Sequence, residues 1–152
     1  MAKAVSPPDY APIIVQRTGK TMMEIKDGKP AIYAKTRGEW RKWLKQNSQS
    51  ATSVWLIQYH KKSKVQSVSY NDAMEEALCF GWIDSKAKKR DGESFYLTMT
   101  PRNPKSKWSQ PNRDRAERMM EKGRMMAAGQ QLIDIAKTKG TWEVILPESL
   151  VR

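Results

Sequence analysis

A chain of 152 residues is long enough for one domain with a real hydrophobic core, and 39% hydrophobic with 29% charged side chains keeps it outside the disordered regime. One cysteine (Cys79) excludes an intramolecular disulfide, and together with one histidine (His60) it excludes a structural zinc site. The net charge of +12 attracts polyanions such as nucleic acid, anionic lipid or acidic protein surfaces, although a basic surface also serves solubility alone.

Residues 1–12 carry three prolines and no periodicity, so they read as a flexible lead-in to one domain over 13–152. They lack the apolar run of a secretory signal, and no stretch approaches the roughly 20 apolar residues of a membrane span, so the cytosol is the expected location. Ile13-Ile14-Val15 has the β-branched character of a first strand. Lys26-Asp27-Gly28-Lys29 reads as a turn and Pro30 to Lys35 as a short strand. Thr36-Arg37-Gly38-Glu39 matches a capping box: Thr36 would accept from the Glu39 amide, and Glu39 would reach back to the Thr36 amide. Trp40, Trp43 and Leu44 then share one face of a helix ending near Asn47, with Arg37, Arg41, Lys42 and Lys45 elsewhere on it.

Thr52 to His60 is the clearest strand. Val54, Leu56 and Gln58 face one way and Trp55, Ile57 and Tyr59 the other, the pattern of a central strand covered on both sides. Ser69, with Asp72 three residues on, caps a second helix whose apolar stripe is Tyr70, Ala73, Met74, Ala77 and Leu78, and Gly81 stops it in a left-handed conformation. Ile83–Arg90 and Phe95–Thr100 form a hairpin about Asp91-Gly92, a tight-turn dipeptide. Ser109 caps a third helix with Ala116, Met119 and Met120 inward and Gly123 after its end. A fourth helix, about Ala127–Lys137, buries Leu132, Ile133 and Ala136, and Trp142, Val144, Ile145 and Leu146 fold back onto the core. The expected fold is α+β: a small, mostly antiparallel sheet packed with about four helices in a single domain.

The run Glu76-Ala-Leu-Cys-Phe-Gly-Trp-Ile-Asp-Ser85, followed by Phe95-Tyr-Leu-Thr-Met-Thr-Pro-Arg-Asn-Pro-Lys-Ser-Lys-Trp-Ser109 and the downstream Asn112, Arg113 and Gly123-Arg-Met125, resembles the YdeI/OmpD-associated (bacteriocin-protection) proteins. The likeness spans roughly residues 30–145 and includes the Trp-x-x-Trp helix and the Ser53-Val-Trp-Leu-Ile-Gln-Tyr-His60 strand. Many members extend further with a C-terminal helical region that is missing or much shortened here. The resemblance implies a role in tolerance of bacteriocins or cationic peptides rather than a known reaction. Its motifs mark Tyr70, Trp82, Asp84, Ser85, Arg102, Lys107, Trp108 and Asn112 as ligand-binding candidates.

Asp84 could orient Arg102 or Lys107, and Trp108 could present an aromatic face to a base, sugar or cation. The structural alternative is an Asp84–Arg102 ion pair with both tryptophans in the core. Residues 86–124 hold 12 basic and 5 acidic side chains, and within them Lys86, Lys88, Lys89, Arg90 and Lys105 mark a polyanion surface. Cys79 lacks a base beside it in sequence, Ser85 and Ser109 have no better partner, and the only adjacent carboxylates, Glu75 and Glu76, are expected on different sides of their helix. No phosphate loop, metal constellation or cofactor motif is present in the sequence. Three functions follow: a non-enzymatic binding module for nucleic acid or another polyanion, a stress-tolerance adaptor with a protein partner, or a small enzyme or ligand binder about Asp84, Arg102 and Trp108.

Overall fold

A computed structural model describes residues 24–143. Five strands and four helices make an α+β domain over this span: β1 (Glu24–Lys26), β2 (Lys29–Tyr33), α1 (Arg37–Asn47), β3 (Val54–Tyr59), α2 (Tyr70–Cys79), β4 (Trp82–Lys89), β5 (Ser94–Pro101), α3 (Gln110–Glu121) and α4 (Ala127–Lys139). The sheet order is β1-β2-β3-β5-β4. β2 and β3 are parallel, joined through α1, and every other neighbouring pair is antiparallel. The expected strand at Ile13–Val15, the lead-in over 1–12 and the apolar residues Val144, Ile145 and Leu146 lie outside the described residues.

Local chemistry starts and stops each helix. Thr36, Ser69 and Ser109 accept from the amides of Glu39, Asp72 and Asn112, three residues on in each case. The box at Thr36 closes differently from expectation, because the Glu39 carboxylate takes the Lys35 amide at 2.7 Å instead of the Thr36 amide. Gly81 (φ 77°) lets the chain leave α2 and enter β4 directly, where a Cβ would meet Leu132 and the Ala128 carbonyl at 3.1 and 3.3 Å. At the β4–β5 turn Gly92 has no positive φ. The Asp91 carboxylate shapes that turn instead, accepting from the Glu93 amide at 2.9 Å and the Ser94 hydroxyl at 2.8 Å.

β3 is central and two-faced. Val54 and Leu56 join the main core with Trp40, Leu44, Met74, Leu78, Trp82 and Met99, beneath the helices. Trp55 and Ile57 join Ala31 and Tyr96 in a second cluster on the opposite face, with Tyr33 and Tyr59 packed against it. α2 is the hub of the helical layer. Every residue from Ala73 to Cys79 is buried, because α1, α3, α4 and β4 all pack on it. α4 approaches closest at Gly129, whose absent side chain makes room for the Leu78 and Cys79 carbonyls. Ile133 and Ala136 are buried as the periodicity predicts, whereas Leu132 is only half-buried.

Candidate functional site

β4 is an outer strand, and a register shift between Asp84 and Ala87 kinks it midway. Ser85 through Lys89 are exposed, so Lys86, Lys88 and Lys89 stand in solvent along the sheet edge. Lys88 and Lys89 lie opposite Tyr96 and Phe95, hence on different faces, and the edge itself is what all three lysines share. Lys88 pairs with Asp27 across the surface at 2.9 Å, while Lys86 and Lys89 make no ion pair among the described residues. Arg90 departs from this line. Its guanidinium donates to both oxygens of Glu24 at 2.8 and 3.0 Å, with 9% of its side chain exposed, so it braces the second sheet face instead of reaching solvent. Burial would raise the Glu24 carboxyl, but hydrogen bonds from Arg90 and Tyr96 hold it below the usual range. Burial and the Glu24 contact push the Tyr96 phenol up to about 12.

The motif residues divide into two groups. In the first, the exposed Tyr70 donates its hydroxyl to Asp84 Oδ2 at 2.9 Å. Asn112 enters through Arg115, which donates to Asn112 Oδ1 at 2.7 Å and Asn71 Oδ1 at 2.9 Å and lies 5.5 Å from the Tyr70 ring centre. Burial and the Asp84 contact raise the Tyr70 phenol above its ordinary value. Residues from α2, β4 and α3 thus meet on one surface. Ser85 is exposed beside it and hydrogen-bonds to no side chain among the described residues.

The second group corrects two expectations. Asp84 does not pair with Arg102: its partner is Tyr70. Trp108 offers no free face, being 4% exposed, with the Arg102 guanidinium 4.0 Å from its ring centre and the Trp142 ring 4.9 Å away. Arg102 follows β5, its amide bound to the Gly81 carbonyl at 2.8 Å, and is 7% exposed. Its Nη2 donates to the Lys107 carbonyl at 2.9 Å and grazes that of Ser106 at 3.5 Å. Its Nε is buried with no acceptor, and burial draws its pKa below the ordinary arginine value. Lys105 and Lys107 are exposed in the loop over it. Trp82 is a core residue, its indole N–H bonded to the Ser48 carbonyl at 3.1 Å. An open depression of about 490 Å³ lies elsewhere, lined by Glu117, Lys137, Gly140, Trp142 and Glu143, without Asp84, Arg102 or Trp108.

Both groups and the β4 lysines fall inside one family match. The model of a domain of unknown function, DUF8412, covers residues 32–132, two thirds of the chain. The chain belongs to the DUF8412 family. No curated protein and no solved structure matches it.

The DUF8412 span also contains an ionic network, built about the buried carboxylates of Glu75 and Glu76, that apolar periodicity does not reveal. Asp72, Glu75, Glu76 and Cys79 form an i, i+3, i+4, i+7 stripe along α2, facing Arg37 and Arg41 at i, i+4 on α1. Arg37 donates to all three carboxylates, at 3.0, 2.8 and 2.7 Å, so Glu75 and Glu76 converge on one guanidinium rather than pointing apart. Arg41 reaches Glu76 at 2.7 Å, and Arg118 of α3 reaches Glu75 at 2.9 Å. Burial would raise Glu75, but its bonds to Arg37 and Arg118 keep it lowered. The complementary charge spacing on two predicted helices is the signal that could have revealed the network.

This network fastens helices together and leaves no carboxylate poised for proton transfer. Burial, against a hydrogen bond from Arg41, pushes the Cys79 thiol up to about 11, so it holds its proton at neutral pH and is a poor nucleophile. His60 is exposed at the end of β3, its ring 5.4 Å from that of Phe95. Among the described residues no three His, Cys, Asp or Glu side chains group to hold a metal ion, and no helix is long and apolar enough to cross a membrane.

Proposed function

We propose that this chain is a non-enzymatic, cytoplasmic binding protein that takes an anionic polymer along the β4 edge and the loop after β5. The observation that carries this reading is the placement of Lys86, Lys88 and Lys89 on one outer strand, with Lys105 and Lys107 exposed beyond its opposite end. Trp82 pairs with Pro101, so the loop begins where β4 begins, while Lys88 and Lys89 sit at its far end. At about 3.3 Å per residue, the basic line runs for roughly 20 Å. That length matches several successive phosphates of a nucleic-acid strand and exceeds any single small anion.

Lysines and a bulge on an outer strand also discourage edge-to-edge pairing with a second sheet. Charge reversal separates the two roles. In the Lys86→Glu/Lys89→Glu variant, anisotropy of labelled single-stranded DNA or RNA at low salt should show at least a tenfold loss of affinity, with an unchanged melting temperature. Equal binding by variant and parent would defeat the proposal. The resemblance to YdeI/OmpD-associated proteins adds a biological setting, tolerance of bacteriocins or cationic peptides. In that setting a protein partner would replace the nucleic acid and leave generic oligonucleotides unbound.

A further inference from the structure

The polyanion reading leaves Arg102 unexplained, because this arginine is buried rather than set out in solvent with the lysines. A buried guanidinium ordinarily faces a carboxylate. Here no carboxylate reaches it among the described residues, since Asp84 is committed to Tyr70 and the acidic stripe of α2 to Arg37, Arg41 and Arg118. Two loop carbonyls are its acceptors, one at the 3.5 Å limit, and both go to Nη2. The Nε–H and the Nη1 amino group have no acceptor among the described residues.

The ring of Trp108, 4.0 Å from the guanidinium carbon, packs against the group and restrains its rotation. The covering loop, Asn103–Lys107, is exposed throughout and is shaped by Asn103, which accepts from the Lys105 and Ser106 amides at 2.8 and 3.0 Å. Its hydrogen bonds with the guanidinium are accepted by the Ser106 and Lys107 carbonyls. Its own charges, Lys105 and Lys107, are cationic and repel Arg102 when nothing lies between them.

We propose that Arg102 is the seat of a phosphate oxyanion, free or in a polymer backbone, with Lys105 and Lys107 closing over it. A tetrahedral oxyanion can lay oxygens against Nε and Nη1 and raise another out of the guanidinium plane toward a lysine, whereas both oxygens of a carboxylate lie in the plane of the fork. The inference rests on the anionic-polymer reading in that it names the chemical class of the partner, and it is tested separately from it.

The test is the arginine side-chain 1H–15N spectrum of the full 152-residue protein. Inorganic phosphate, sodium acetate and an oligothymidine are titrated in turn at constant ionic strength, and the Arg102→Lys variant assigns the resonance. The Arg102 Nε–H peak should shift saturably with phosphate and with the oligothymidine but not with acetate. Arg102→Lys should weaken oligothymidine binding about tenfold. A peak that phosphate leaves still, or that acetate moves equally, overturns the seat. Oligothymidine binding that depends on Lys86 and Lys89 while Arg102 stays unperturbed overturns the seat and leaves the β4 edge intact as a polyanion site. A saturable phosphate shift without oligothymidine binding supports the seat for a free phosphate and overturns the polymer reading.

Discussion

Replacing Glu76 with Gln keeps the volume of a side chain that is 0% exposed and removes its charge. Arg37 tolerates the change, because it retains Glu75 and Asp72 and is partly open to water. The cost falls on Arg41, whose side chain is 14% exposed and whose one carboxylate partner among the described residues is Glu76. It would keep the Arg124 carbonyl at 2.9 Å, the Phe80 ring 5.0 Å away and its hydrogen bond to the Cys79 thiol, none of them a charge to balance its own. Breaking a buried pair from one side costs about 3–5 kcal/mol, and the lower end applies because the Gln oxygen can still accept one bond. For a domain of this size, about 3 kcal/mol lowers the melting temperature by roughly 10 °C. Circular dichroism during thermal and urea unfolding measures it, with a lower urea midpoint and an unchanged slope. The double variant with Arg41→Met should fall short of additivity by at least about 1 kcal/mol. A melting temperature within about 2 °C of the parent would refute the claim that this network fastens α1 to α2.

Gly129→Ala should destabilise the protein by about 1–3 kcal/mol, despite the better helix propensity of alanine. Its Cβ would lie 2.4 and 2.5 Å from the Leu78 and Cys79 carbonyl oxygens, and urea unfolding reads the loss. Trp55→Ala should cost about 3–5 kcal/mol, since the indole is 3% exposed on the central strand, and an unchanged melting temperature would contradict that packing. Acid should unfold the protein through Glu75 and Glu24. Folding lowers both carboxyls, so their stabilisation is present above the unfolded value of about 4.3 and is lost as pH falls through the lower folded values. Urea midpoints should hold steady from pH 7 to 5 and drop below about pH 4.

What could be read from the sequence is what short-range chemistry decides. The caps at Thr36, Ser69 and Ser109 need only a hydroxyl three residues before an amide, and each forms as read. The alternation in Val54–Tyr59 told both faces of a central strand, because side-chain direction in a strand follows from parity alone. Longer-range pairing was less legible. Charge complementarity pairs Asp84 with a cation, whereas its neighbour across the fold is the Tyr70 phenol, which tertiary packing of α2 on β4 supplies. Arg90 reads as surface charge in a run of basic residues, yet Glu24, distant in sequence on β1, pairs with it. The acidic stripe of α2 is invisible to the apolar pattern, although its charged residues obey the same 3.6-residue repeat. The Asp91-Gly92 turn departs for a local reason, since the Asp91 carboxylate supplies the turn's hydrogen bonds and Gly92 keeps an ordinary φ.

The central claim is that the β4 edge and its following loop bind an extended anion, and the salt dependence of binding tests it most directly. Anisotropy of a labelled oligothymidine, titrated with protein across a series of salt concentrations, gives the slope of log affinity against log salt. About four lysine–phosphate contacts predict a slope near −3 on a single strand, and Lys86→Glu/Lys89→Glu should bring it toward about −1.5. A flat salt dependence, or no binding at low salt, would contradict the account and reduce the lysines to guards of an outer strand.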